Sequence, residues 1–309
     1  MDDPVNPADL RAAVATALGP VFPGPGLGPA TVLETKELDG WCLDDLTFSG
    51  AEGEIIPAYF LRPPTGHAPV PALIYAHAHG NNYGIGRDEL LTGRPALHAP
   101  FAPDMVRAGL ATLAIDLPCF GARQVPGESA RAKAHLWRGQ TLFGQMLAEL
   151  RGGVDFLADH PGVDASRIGI LGFSMGSTLA WWLAGLDTRL RAAAALCSFA
   201  DIGELVKDGL HDPHGIYMTV PGQMQLARTG QIAGLVAPRA LQISVGETDP
   251  LTPPQAFAQG LEDVKAAYRS ATAIDQLSVL VETGSGHVET PRMRKTVLDF
   301  LTKSLCGPS

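Results

Sequence analysis

The residues whose types and spacing could do chemistry are a serine, a histidine and two acidic side chains, far apart in the chain, each just past a segment that reads as a strand. Ser174 lies in Gly172-Phe173-Ser174-Met175-Gly176, after the apolar segment 168–171 and before the small, apolar run 177–184. A sharp strand-to-helix turn forces such a serine into a strained conformation, and glycine two positions away on each side gives it room. A serine that merely caps the next helix would require neither glycine. A serine hydroxyl is a weak nucleophile at neutral pH, so acyl transfer needs an imidazole to take its proton and a carboxylate to hold that imidazole. His287 follows segment 277–281 between small residues, and Asp249 ends the turn Gly246-Glu247-Thr248-Asp249 after segment 240–245. Glu247 competes for the acid's role, but the position just before Pro250 is the better match.

Acyl transfer also builds negative charge on a carbonyl oxygen, and each fixed donor aimed there is worth roughly 3 kcal/mol. The backbone N–H of Met175, directly after Ser174, is one expected donor. The loop Ala76-His77-Ala78-His79-Gly80-Asn81-Asn82-Tyr83-Gly84 is the expected source of the second. His77 and His79 alternate as metal ligands on a strand can, but no further histidine, carboxylate or cysteine in the sequence completes a ligand set. His79 is better read as bracing the loop through a hydrogen bond, and the chemistry needs no metal and no cofactor.

These residues must be positioned by a sheet. Segments 31–38, 43–48 and 55–61, separated by turn residues at 39–40 and 50–53, read as an antiparallel entry. Apolar strands then alternate with helical stretches: 72–76 with 99–108, 111–116 with 136–160, 168–171 with the helix after Ser174, 192–197, 240–245 with 254–268, and 277–281 with 291–301. That alternation predicts parallel strands with helices on both faces. Before it, residues 7–18 predict a short helix, capped by Asn6 with Leu10, Val14 and Leu18 on one face, then a Pro/Gly-rich linker over 19–29. That helix is read as flank packing ahead of an oligomer arm or a wall of the site. Residues 201–236 form the longest interruption, with His211, His214, Tyr217, Met218 and Met224, and read as an ordered lid.

With the three motifs in this order, the chain resembles the α/β-hydrolase superfamily, particularly its dienelactone-hydrolase-like and acetyl-xylan-esterase-like serine esterases, over roughly residues 30–305. The resemblance implies an α/β-hydrolase fold: a mostly parallel twisted sheet of about eight strands with helices on both faces. It implies Ser174 as nucleophile, Asp249 as acid, His287 as general base, and Asn81 N–H, with Gly80 and Asn82 close behind it, beside Met175 N–H at the oxyanion. Dienelactone hydrolases carry cysteine where this chain has Ser174. The expected organisation is an N-terminal helix and linker over 1–30 and one hydrolase domain over 31–305 with its insertion at 201–236. His79, Tyr83, Phe120, His214 and Tyr217 are the expected pocket residues.

The reaction expected is hydrolysis of a carboxylic ester, as a carboxylesterase or deacetylase, through an acyl-enzyme. The same residues could serve a peptide amide or a ketone C–C bond, since fold does not choose among them, and an inactive binding protein of the same fold is the reading from another class. Composition excludes other classes. With 23 Lys and Arg against 32 Asp and Glu, a net charge of −9 and no basic cluster, the surface would repel nucleic acid. No run approaches the roughly 18 apolar residues of a membrane span, and the start Met1-Asp2-Asp3-Pro4 is acidic where a secretory signal is basic. Cys42, Cys119, Cys197 and Cys306 form no C-x-x-C pair and read as thiols of a reducing compartment, so a cytoplasmic chain with a small-molecule partner is expected, with a homo-oligomer left open.

Other signals are set aside. The 24–28 stretch is neither a P-loop nor a dinucleotide fingerprint, Trp181 and Trp182 read as packing, and Arg87, Asp88 and Glu89 could line the entrance but read at least equally well as a solvated charged loop.

Overall fold

Short apolar stretches punctuated by turns become strands, and the longer amphipathic stretches between them become helices. The computed structural model describes residues 6–24, 26–51 and 53–307. The acidic start Met1-Asp2-Asp3-Pro4, Pro25 of the 24–28 stretch and Glu52 of the 50–53 turn lie outside the described residues.

The strands are β1 (Leu27–Leu38), β2 (Trp41–Gly50), β3 (Ile55–Arg62), β4 (Val70–Ala76), β5 (Ala111–Ile115), β6 (Val163–Phe173), β7 (Leu190–Leu196), β8 (Ala240–Gly246) and β9 (Leu277–Glu282). They form a 9-stranded sheet in the order β1-β2-β3-β5-β4-β6-β7-β8-β9, one strand more than the expected eight. β1, β2, β3 and β5 are joined by antiparallel pairings, and from β5 across to β9 every pairing is parallel. β1 starts at Leu27, inside the expected linker, because its pairing with Gly50 of β2 gives the backbone of that stretch a partner.

Successive residues of a strand face opposite sides of the sheet, and each side here has its own core. Ala72, Ile74 and Ala76 of β4 enter one apolar cluster, and Leu73 and Tyr75 enter the other. Strands buried on both faces have no polar face to show, so their sequences read as unbroken apolar runs. The first core is covered by helices Leu142–Asp159, Met175–Leu186 and Pro254–Ser270, and the second by Ala102–Ala108 and Pro291–Leu301. Truncating a fully buried side chain such as Leu147 to alanine would cost about 2–5 kcal/mol.

The helix expected over 136–160 divides into Glu128–Trp137 and Leu142–Asp159. Thr141 ends the first reading, since its hydroxyl accepts from Gly144 N–H at 2.9 Å and so caps a new helix. The N-terminal helix, Pro7–Ala17, carries Leu10 and Val14 into the core, and Arg11 donates to the carbonyls of Gly185 and Leu235. It therefore packs on the flank of helix Met175–Leu186. Within 201–236 the chain forms helices Ile202–Lys207, Gln223–Leu226 and Thr229–Gly234. Asp201 ties their ends together, accepting from the N–H groups of Gly203, Glu204 and Thr229, while Thr229 Oγ1 accepts from Ile202 N–H. Among the described residues no helix is long and apolar enough to cross a membrane.

Candidate active site

Ser174 sits between β6 and helix Met175–Leu186 with φ 56° and ψ −116°, a left-handed conformation costly for any side chain. Its flanking glycines are sterically required. A Cβ on Gly172 would overlap the backbone of Gly176, and one on Gly176 would overlap the carbonyl of Ala76 in β4. The turn is anchored by Ser174 N–H donating to the carbonyl of Leu196 at 2.8 Å. The Ser174 hydroxyl makes no cap bond to the helix; instead it lies 2.8 Å from His287 Nε2.

His287 Nδ1 lies 2.7 Å from Asp249 Oδ2, and Asp249 Oδ1 accepts from Leu251 N–H at 2.9 Å. Asp249 is only 1% exposed, so its charge is spent on those two donors. Glu247 is occupied elsewhere, accepting from Gly284 N–H at 2.9 Å. The loops carrying Asp249 and His287 are stitched together by Thr248, whose N–H and hydroxyl both donate to the Ser285 carbonyl. Residues 249 and 287 thus keep their spacing through the main chain as well as through their own contact.

The loop after β4 forms the opposite wall. His79 Nδ1 accepts from Asn81 N–H at 3.0 Å, which leaves the ring's proton on Nε2, donated to Glu128 Oε2 at 2.6 Å. Tyr83 donates to the same oxygen at 2.8 Å, and Tyr217 N–H donates to Glu128 Oε1 at 3.0 Å. Burial raises the Glu128 pKa, but the donors from His79, Tyr83 and Tyr217 together outweigh it and hold the carboxyl below its ordinary value. The Tyr83 phenol is pushed up to about 12, by burial first and then by its bond to Glu128.

The expected second oxyanion donor is therefore engaged in this conformation: Asn81 N–H points to His79, and Asn82 N–H donates to the His79 carbonyl. Gly80 N–H has no partner among the described residues. Met175 N–H, at the first helical position, has no intrahelical acceptor.

Ser174, Met175, Asn81, His79, Tyr83, His214, Tyr217 and His287 share one cleft of about 500 Å³. Phe120, expected on its wall, is fully buried and stands behind it, with its ring stacked on Tyr83 and edge-on to His79. Glu89 is likewise fully buried, not solvated as its charged surroundings suggested. It pairs with Arg94, accepts from Tyr75 and Ala78 N–H, and so braces the loop from below. Arg87 turns away from the cleft, bonded to Asp45 and lying over the Tyr59 ring. Glu128 and Ser198, which line the cleft, escaped the sequence reading; for Glu128 the available signal was an acidic residue at the first position of a helix, in line with Arg131 and His135, which are buried with it.

His77 and His79 serve different neighbours. The His77 ring is buried between the Ala78 carbonyl at 3.0 Å and Leu117 N–H at 3.2 Å. Among the described residues, no three His, Cys, Asp or Glu side chains gather as a metal site.

The Esterase FrsA-like family matches residues 30–220. YtaP of Bacillus subtilis (strain 168), a protein named as a hydrolase, is 36% identical over 82% of this chain and 84% of its own length. Esterase FrsA of Yersinia pestis (strain Pestoides F) is 29% identical over 58% of this chain but only 38% of its own length. Among solved structures, the glucuronoyl esterase of Solibacter usitatus aligns with a TM-score of 0.68 at 13% identity, covering 97% of this chain and 92% of that one. Acetyl xylan esterase 1 of Thermoanaerobacterium sp. JW/SL YS485 aligns at 0.62 and 18% identity, covering 97% and 94%. Likeness at that identity establishes the fold, and the family match over more than half of the sequence establishes the lineage: the chain belongs to the FrsA-like esterase family, as an ester hydrolase on the α/β-hydrolase fold.

Proposed function

We propose that this protein hydrolyses a small-molecule carboxylic ester in two steps through an acyl-enzyme on Ser174. The supporting observation is the unbroken line of contacts from Ser174 Oγ to His287 Nε2 and from His287 Nδ1 to Asp249 Oδ2. His287 takes the hydroxyl proton as Ser174 Oγ bonds to the ester carbon, and Asp249 orients the ring and stabilises its positive form. Collapse of the tetrahedral adduct breaks the bond to the alcohol oxygen, which leaves with the proton from His287. Water repeats the sequence and frees the acid. Met175 N–H and an amide of the Gly80–Asn81 turn stabilise the negative oxygen; Asn81 serves once its N–H swings from, or is shared with, His79.

The test is turnover of p-nitrophenyl acetate by the wild type and by Ser174→Ala. A variant that is folded but loses its activity supports the assignment, and a fully active one refutes it. The four cysteines are free thiols, which suits the reducing cytoplasm in which we place the activity.

A further inference from the structure

Beside the cleft lies a far smaller cavity of about 20 Å³, walled in part by Thr178, Trp181 and Phe199. Ser198 and His214 line both spaces, so the small cavity adjoins the one that holds Ser174. Two polar atoms in its walls are buried and have no hydrogen-bond partner among the described residues, Trp181 Nε1 and His214 Nε2. The hydroxyls lining it already have partners: Thr178 Oγ1 and Ser198 Oγ bond to each other at 2.9 Å, and Thr229 Oγ1 accepts from Ile202 N–H at 3.0 Å. A buried donor or acceptor without a partner carries an uncompensated loss of hydration, so two of them on residues lining one cavity ask what fills it.

Their chemistry narrows the answer. An indole nitrogen only donates, so the occupant must accept from Trp181. Burial lowers the His214 pKa and favours the neutral ring. His214 Nε2 has no partner and is a donor or an acceptor according to the tautomer, so a group that both donates and accepts satisfies it in either form. A hydroxyl does both and fits a space of that size, whereas a carbonyl could only accept and a methyl could do neither.

We propose that Trp181 Nε1 and His214 Nε2 form a subsite for a hydroxyl group that the ester substrate carries within a few bonds of its carbonyl carbon. The proposal rests on Ser174 being the nucleophile, and it makes the preferred substrates hydroxylated esters. The hydroxyl belongs to the acid or to the alcohol half, and two pairs of esters separate these. In each pair a hydroxyl replaces a methyl: p-nitrophenyl 3-hydroxypropionate against butyrate, and 2-hydroxyethyl acetate against propyl acetate.

The measurement is the ratio of kcat/KM within each pair, for wild type, Trp181→Phe and His214→Leu. Comparing ratios between enzymes cancels both the intrinsic reactivity of the esters and any general damage. On one of the two pairs the wild type should favour the hydroxylated member at least about tenfold more than either variant does, because a site built for a hydroxyl penalises its absence. If Trp181→Phe does not fold, His214→Leu, on the partly exposed insertion, carries the test. Ratios unchanged by the substitutions on both pairs would overturn the proposal and leave the cavity to a resident water. Unchanged ratios together with an inactive Ser174→Ala would sink the subsite alone, whereas an active Ser174→Ala would sink the catalytic reading beneath it.

Discussion

The two walls of the cleft are held by different means. On the wall carrying Ser174, Asp249 and His287, each group leaves the end of a strand and is fixed by main-chain bonds close by, such as Ser174 N–H to Leu196 and Thr248 to Ser285. On the facing wall, His79 and Tyr83 of the loop after β4 and Tyr217 of the distant 201–236 insertion converge on one buried carboxylate, Glu128. The first wall is specified by backbone geometry, the second by a single charge and the donors around it. Under the proposed mechanism, loss of a group on the first wall should therefore abolish function, while damage to the second should be graded.

The largest expected effect is at His287. In His287→Gln nothing can take the Ser174 proton, and kcat on p-nitrophenyl acetate should fall by about 10⁵–10⁶-fold while the circular dichroism spectrum stays native. A loss of less than about tenfold would mean that the contact at 2.8 Å does not activate the serine. Next is Asp249→Asn, which disturbs the hydrogen bonding that sets the His287 tautomer and should cost about 10⁴-fold in kcat. Glu247→Gln should leave kcat near wild type, since that carboxylate serves Gly284 N–H in the loop. Reversed outcomes for these two variants would reassign the acid.

The same contrast explains what the sequence made legible. The approach of Ser174, Asp249 and His287 could be anticipated because strand ends, turn residues and paired glycines are local patterns, and the sheet then brings their loops together. Glu128 could not, because its role depends on which distant donors surround it, and nothing near residue 128 announces His79 or Tyr217. Phe120 and Glu89 were misplaced for a related reason. An aromatic residue in a loop looks like a pocket wall and an acidic one looks solvated, until neighbours such as Tyr83 or Arg94 bury them. The split at Thr141 and the early start of β1 were hidden because capping and pairing override the propensity of a short stretch.

Glu128→Gln tests the second wall. The amide keeps one acceptor oxygen where the carboxylate offered two, so the donors from His79, Tyr83 and Tyr217 N–H can no longer all be met. We expect kcat/KM on small esters to fall about tenfold to a hundredfold, with Ser174 still labelled by a fluorophosphonate. Complete loss of labelling would show that the walls are not separable in the way drawn here. Because the folded pKa of Glu128 is lowered, the stability it contributes is present above the ordinary carboxylate value and is lost only as pH falls through the lower one. Mild acid should leave this carboxylate charged and its donors in place.

Mild acid should act instead on the residue beneath that wall. His77 directly follows β4 and begins the loop that carries His79 and Asn81, and its folded pKa is pushed down to about 3, chiefly by burial, against a gain from the Ala78 carbonyl. Both ring nitrogens are in use, one donating to Ala78 and the other accepting from Leu117 N–H, so an added proton would turn the second bond into a clash of donors. The unfolded chain takes up that proton near pH 6.5 and the folded chain does not, so stability is full above that pH and declines as pH falls from there toward about 3. The slope for one proton is about 1.4 kcal/mol per pH unit, so between pH 6.5 and 5 the wild type should lose about 2 kcal/mol that His77→Asn, which cannot titrate, does not. Urea unfolding of both proteins at the two pH values measures that difference. Parallel losses would mean that His77 accepts its proton without unfolding, and the wall would then rest on a ring able to change charge in place, making the oxyanion loop sensitive to pH where the Ser174 wall is not.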